Sequence, residues 1–134
     1  MASITMPTTS LPGAGAEYVN GLSAGVAVQG KLAYRDTNKK YADAQANAAG
    51  TCTVVGRYAE STGAANTPVS IQTKGRVTGL SGLTTGVFYV LSDTVAGAIM
   101  PTADLTAGKR VSLVGYAVSA TELQLLIENT GLVF

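Results

Sequence analysis

Hydrophobic residues along this chain fall in short runs separated by glycine, proline and small polar residues. The clearest of them lie between Gly86 and Ile127, where apolar segments are divided by turn residues in the pattern of two hairpins joined by a loop. Upstream, Val69 and Ile71 alternate with polar residues in a period of two, which is typical of a strand with one wet face. The alanine-rich segment Asp43–Gly50 is long enough for at most one short helix. The sequence therefore predicts an all-β fold, a small β-sandwich or barrel.

The apolar segments of the two halves of the chain repeat each other at a constant shift of 58 positions. The matched pairs include Leu32 with Val90, Tyr41 with Ile99, and Tyr58 with Tyr116. The two repeats cover about residues 22–75 and 83–134. We expect two similar β units packed together, each covering the apolar face that the other cannot bury alone.

The first 16 residues differ in composition from the rest, with two prolines and two glycines set among threonine, serine and alanine. This composition forms neither a helix nor a packed strand by itself. We therefore predict an extended N-terminal arm over residues 1–16, followed by a single β domain over residues 17–134. Such a segment is either a disordered terminus without a role or an arm that becomes ordered when it docks on a neighbour.

The charge and composition of the chain argue against two classes of partner. Charged residues make up 13% of the chain, the net charge is +1, and no run of like charge exceeds the pair Lys39-Lys40, so we expect no nucleic-acid partner. No apolar stretch approaches membrane-spanning length, and the start of the chain lacks the pattern of a signal peptide. We expect synthesis in the cytosol, no membrane partner, and a largely small and neutral surface that suits packing against other proteins.

The residues that could carry chemistry form no clear active site. The chain has no histidine, which removes the commonest general base and the usual serine nucleophile arrangements. Asp36 and Asp93 occupy similar places after paired strands and could in principle form a glycosidase pair, but aspartate followed by threonine also favours a turn. Asp36 and Asn38 have the spacing that begins a calcium loop, yet two lysines follow and no glutamate closes it. We therefore expect no enzyme activity, no metal site and no cofactor.

Six tyrosines are the large side chains of a chain that is rich in small ones. They could form a stacking platform for sugars, or they could fill the core and the interfaces. With no tryptophan and only two phenylalanines, the core and interface interpretation is the simpler one.

The second half of the chain resembles the capsid decoration, or cement, proteins of tailed bacteriophages and related head structural proteins. The segments that carry the resemblance are Gly86–Ser92, Gly97–Ile99 and Val114–Leu123, and in the first half Ser23–Val28, Leu32–Tyr34 and Val54–Glu60. Together they span most of residues 22–127. The resemblance implies a compact β domain, usually trimeric, that sits on the outer capsid where coat subunits meet and clamps them against internal pressure.

The resemblance leads us to expect a virion structural protein, made in the host cytoplasm, whose partners are the major capsid protein and further copies of itself in a homotrimer. The residues expected to contact the capsid or a neighbour are Ile4, Met6 and Leu11 of the arm. Those expected at subunit contacts are Tyr18, Leu132, Val133 and Phe134, because apolar residues of this size are costly to leave in water. The alternative function is a receptor- or glycan-binding domain of a head fibre or tail protein.

Overall fold

The chain folds into ten β-strands and one short 3-10 helix in a computed structural model that describes residues 3–47 and 50–134. The strands are β1 (Leu11–Pro12), β2 (Glu17–Leu22), β3 (Leu32–Arg35), β4 (Tyr41–Asp43), β5 (Gly56–Tyr58), β6 (Pro68–Thr78), β7 (Phe88–Leu91), β8 (Ile99–Pro101), β9 (Arg110–Ala117) and β10 (Leu123–Val133). The 3-10 helix is Thr102–Asp104. The predicted all-β fold is confirmed. The segment considered for a helix instead ends β4 and enters a turn at Ala46 and Asn47, and Ala48 and Ala49 lie outside the described residues.

Two similar units make up the fold, as the order of strands shows. The main path of hydrogen-bonded neighbours is β4-β3-β5-β6-β10-β9-β7-β8. Read from either end, it contains a hairpin of two short strands, then a third strand, then a strand of 11 residues. The path therefore consists of a first unit, β3 to β6, and a second unit, β7 to β10.

The constant shift of 58 positions holds for only part of this repeat. Strands β4 and β8 begin at the predicted pair Tyr41 and Ile99, but β3 begins at Leu32 while β7 begins at Phe88 rather than Val90. The expected match of Leu32 with Val90 is therefore wrong. Loops between strands accept insertions and deletions more readily than the strands they connect, so the separation drifts along the chain.

Strand β6 connects the two units, because it pairs with four other strands. Its first part pairs with β2 and β5, and its last part pairs with β1 and β10. The first unit also curls back on itself: Ser23, directly after β2, forms a parallel bridge to Tyr41 at the start of β4. The Tyr41 ring packs on Gly21, where a Cβ atom would lie 2.5 Å from the ring Cε2.

The buried apolar side chains form a smaller core within the first unit and a larger core that both units share. The smaller core is formed by Ala27, Ala33, Tyr41, Tyr58, Val69 and Ile71. The larger core is formed mainly by the second unit and by parts of the first, with Met6, Leu32, Ala44, Ala46, Val54, Val77, Leu80, Leu83, Tyr89, Leu91, Ile99, Val114, Ala117, Leu123 and Leu125. Residues of both units and of the N-terminal segment thus share one core, which ties the three parts of the chain together.

The N-terminal segment, residues 3–16, is part of the β domain, and the prediction of a separate arm is wrong for it. Ile4 pairs with Ile99 of β8 through two backbone hydrogen bonds of 2.7 and 2.9 Å. Met6 is 1% exposed in the larger core, and Leu11–Pro12 pairs with β6. Proline and glycine limit the interior of a strand but allow short pairing along a sheet edge, and β8 offers such an edge.

Within the described part of the chain, no helix has the length and apolar character needed to cross a membrane.

Candidate functional site

A surface groove of about 700 Å³ lies where β6 and β10 separate. Its lining residues are Ala14, Gly15, Glu17, Thr73, Lys74, Gly75, Arg76, Gln124, Leu125, Leu126 and Ile127. A concave surface that combines apolar walls with a few converging polar groups is the usual form of a binding site. The groove is therefore our candidate functional site.

The groove exists because two long strands pair over only part of their length. Strand β10 pairs with β6 from Leu123 to Leu125, and its register then breaks before it continues along β9 from Glu128. On the β6 side, the backbone of Gly75 has a φ of +91°, a conformation that side-chain-bearing residues rarely adopt. A Cβ atom at Gly75 would also lie 2.5 Å from the backbone of Gly15, so the two glycines allow these two backbone segments to approach closely in the lining of the groove.

The charged side chains of the groove leave it with an excess of positive charge. Lys74 Nζ lies 3.9 Å from Glu17 Oε1, and both side chains are about two-thirds exposed, so water screens this pair and it contributes little to stability. Arg76 is exposed and forms no ion pair with any residue that the structure describes. Its guanidinium and the amide of Gln124 are the polar groups that remain available to a ligand.

Two aromatic rings continue the site beyond the groove. In the register of the sheet, Phe88 of β7 lies opposite Tyr116 of β9, Tyr116 lies opposite Gln124 of β10, and Gln124 lies opposite Arg76 of β6. Directly opposed residues share one face of a sheet. The four side chains therefore form a cross-strand row on one face of the sheet, three of them on the second unit and Arg76 on β6, which we call the aromatic–arginine row. The Phe88 and Tyr116 rings are 5.7 Å apart between centroids and tilted by 56°.

A buried arginine, Arg57, lies apart from the groove and ties the N-terminal segment to the sheet. Its side chain is 0% exposed, its Nε donates to Gln72 Oε1 at 2.7 Å, and its Nη1 donates to Ser10 Oγ at 3.1 Å. Burial lowers the pKa of Arg57 to about 10, which leaves the guanidinium charged at neutral pH. Because its contacts are to the protein interior, we assign Arg57 a structural role.

The structure distributes the predicted contact residues over several elements. Ile4 is half-buried beside β8, Met6 is in the core, and only Leu11 of the N-terminal set is exposed, at 57%. Capsid contact through Met6 is therefore excluded in this conformation, because neighbouring side chains cover it. The residues predicted at subunit contacts are exposed apolar side chains: Tyr18, Leu132, Val133 and Phe134.

The carboxylates considered for catalysis do not lie in the groove. Asp36 accepts hydrogen bonds of 2.9 Å from the backbone N–H groups of Asn38 and Lys40, which is the local bonding expected of a turn aspartate. Asp93 lies in the corresponding connection of the second unit, where its Oδ2 accepts from Thr106 Oγ1 at 3.4 Å. Residues 3–47 and 50–134 contain no cluster of three or more side chains suited to holding a metal ion.

The sequence did not point to Arg76, Gln124 or Phe88 as site residues. Phe88 stands in the continuous apolar run over residues 87–91, whose sequence does not indicate which of its side chains face outward. The meeting of Arg76 and Gln124 depends on the register between β6 and β10, to which the sequence gives no signal.

The chain matches no protein-family model, and no curated protein is significantly similar to it. Fold and site together define an all-β protein of two similar units with a groove between its two longest strands.

Proposed function

We propose that this chain is a structural protein of a bacteriophage virion that binds the outer surface of the capsid and holds neighbouring major capsid proteins together. The resemblance of its β segments to capsid decoration proteins supports this function. The observation that carries it in the structure is the exposure of large apolar side chains on two strands. Neither strand packs these side chains into the two cores.

The first of these strands is β2, which has no buried residue along its six positions. Tyr18, Val19 and Leu22 are 47%, 38% and 41% exposed, although successive residues of a strand point to opposite faces. A strand in a sandwich or barrel normally buries one of its faces. The two-sided exposure of β2 therefore suits a strand that is covered by another protein.

The second is the last part of β10 and the residue that follows it. Leu132, Val133 and Phe134 are 64%, 51% and 59% exposed, and beyond Leu125 the strand pairs only with β9. Full burial of one such side chain is worth about 1.5–3 kcal/mol, so this surface provides enough apolar area for a contact between copies of the chain. We place the contacts of a homotrimer here and at Tyr18.

A homotrimer explains how a small and weakly charged domain can hold a capsid together. Once one subunit is bound, the remaining contacts become intramolecular, and the overall affinity rises by a factor on the order of 10² to 10⁴ without any strong single contact. Leu11, the exposed apolar residue of the N-terminal segment, is our candidate for direct contact with the major capsid protein.

Co-sedimentation with expanded capsids of the cognate phage that lack this protein tests the proposal. The native chain should pellet with the capsids, and Leu11→Ser should pellet less, while Val26→Ser, at an equally exposed loop position, should behave as the native chain does. Analytical ultracentrifugation should show a trimer that is weakened by Leu132→Ser. A native chain that stays in the supernatant while binding host cells would refute capsid attachment and favour the receptor-binding alternative.

A deletion of residues 1–16 is a poor test of capsid contact, because it would remove Met6 from the core. The point variant at Leu11 leaves that core intact.

A further inference from the structure

The aromatic–arginine row presents four different side chains at regular intervals across four adjacent strands. Neighbouring strands lie about 4.8 Å apart, so the three steps from Phe88 to Arg76 span about 14 Å. The groove begins at Arg76 and Gln124 and continues the same surface towards Glu17 and Lys74. Row and groove thus form one elongated site that suits a chain molecule rather than a compact one.

The aromatic end of the row suits the apolar face of a sugar ring. Phe88 is 45% exposed, and its partner Tyr116 is half-buried with its ring tilted against it. The faces of aromatic rings carry partial negative charge and attract weakly positive C–H groups, such as those on one side of a pyranose. Phe88 and the exposed part of the Tyr116 ring therefore offer a stacking surface of the kind that sugars use.

The other end of the row suits hydroxyl and carboxylate groups. The Gln124 amide both donates and accepts hydrogen bonds, and its one side-chain bond in the described structure is a long contact of 3.5 Å to the carbonyl of Leu125. Arg76 is exposed without a carboxylate partner among the described residues, and a guanidinium binds a carboxylate through two parallel hydrogen bonds. Lys74 and Arg76 outweigh Glu17 by one positive charge, so an anionic ligand complements this end.

The position of the row on the sheet favours a sugar chain over a peptide strand. An extended peptide that adds to a sheet needs a free edge with unpaired backbone groups. At Tyr116, β9 is paired with β7 on one side and with β10 on the other, and at Gln124, β10 is paired with β9 and with β6. Only side chains are available on this face, and they are of the types that recognise sugars.

We propose that the groove and the aromatic–arginine row bind an acidic oligosaccharide, a chain of sugar rings that carries the carboxylate of a uronic or sialic acid. Phe88 and Tyr116 stack on sugar faces, Gln124 bonds hydroxyl groups, and Arg76 binds the carboxylate. Binding at this face does not depend on capsid attachment, because none of the four residues belongs to the proposed capsid or subunit contacts.

An array of uronic-acid and sialic-acid oligosaccharides, each printed beside its carboxyl-reduced neutral counterpart, tests the proposal with the full-length chain. The native chain should bind at least one acidic member. Titration calorimetry with that sugar and its neutral form should show a loss of about tenfold to 100-fold on reduction, the range expected when hydrogen bonds to a charged group are lost. Arg76→Gln should bind the two forms with equal affinity, and Phe88→Ala should weaken both by the same factor.

Arg35→Gln is the matched control, since Arg35 is an exposed arginine on β3, outside both the row and the groove, and it should keep the native preference for the acidic sugar. Thermal denaturation of each variant checks that the fold is retained. The proposal is overturned if no acidic sugar binds, if Arg76→Gln retains the preference for the acidic form, or if a glutamate-rich peptide competes as well as the sugar. Capsid co-sedimentation of Arg76→Gln should match the native chain, so a failure of sugar binding leaves the test of capsid attachment unaffected.

Discussion

Replacing Met6 with alanine distinguishes a folded N-terminal segment from a projecting arm. Met6 is 1% exposed and contacts the core that the two units share, so its side chain is removed from water when the protein folds. If residues 3–16 projected from the domain, the same substitution would change no buried contact. The two arrangements therefore predict different stabilities for one variant.

The structure sets the size of the expected effect. Burying a methionine side chain fully is worth about 1.5–3 kcal/mol, and the cavity that remains after truncation raises the usual cost of Met→Ala to about 2–5 kcal/mol. Domains of this size are stable by about 5–15 kcal/mol, so the loss is a large fraction of the total. Leu11→Ala removes a side chain that is 57% exposed and should cost less than about 1 kcal/mol.

Urea denaturation followed by circular dichroism measures both variants. With a slope of about 1–3 kcal/mol per molar urea, the midpoint of Met6→Ala should fall by about 1 M or more, while the slope itself stays unchanged. Leu11→Ala should stay within a few tenths of a molar of the native midpoint. Equal midpoints for Met6→Ala and the native chain would refute the placement of this segment in the core.

Three further predictions concern single contacts in the two units. Gly115→Ala should lower the free energy of unfolding, measured by denaturant titration, by about 1–3 kcal/mol or more, because the new Cβ would lie closer than any normal contact to the backbone of the neighbouring strand. Gly25→Ala should be nearly neutral, because open space surrounds that position. Burial raises the pKa of Tyr58, so its hydroxyl ionises at a lower pH in the unfolded chain than in the folded protein. The free energy of unfolding should therefore fall by up to about 1.4 kcal/mol per pH unit above about pH 10. Thermal melts of Tyr58→Phe should show a smaller fall over that range, and an equal fall would refute the burial of an ionisable group at this position. The Asn129 side chain accepts a hydrogen bond from the Val54 N–H at 2.8 Å and donates one to the Val54 carbonyl at 2.9 Å. Asn129→Ala should therefore lower the free energy of unfolding by about 1–3 kcal/mol and speed hydrogen exchange of the Val54 amide. Unchanged exchange would contradict that role.

The fold class followed from the sequence because it depends on local signals. The alternation of Val69 and Ile71 with polar residues favours a strand, and the structure contains β6 at that place. The repeat was visible as well, but only where strands keep equal separations, as from Tyr41 to Ile99. The remaining strand pairs of the repeat were not visible at a constant shift, because the loops between them differ in length.

The N-terminal segment shows where composition misleads. Proline and glycine correctly indicate that residues 3–16 form no helix and no long strand, yet they do not indicate which other parts of the chain the segment contacts. The partners of Ile4 and Met6 are the edge of β8 and the larger core, which are formed by residues far along the chain. The apolar character of these two residues fitted a buried position as well as a contact surface, and the sequence could not separate the two.

The sequence by itself thus determined the presence of strands and turns, because these depend on neighbours within a few positions, and its composition determined a weakly charged surface. Only the tertiary structure decided that β6 and β10 pair and then diverge, which opens the groove and brings Arg76 beside Gln124 and the two aromatic rings. Residues that are 48 positions apart, such as Arg76 and Gln124, meet through backbone register. Register is fixed by the packing of whole sheet faces, so it cannot be predicted from any single residue of the chain.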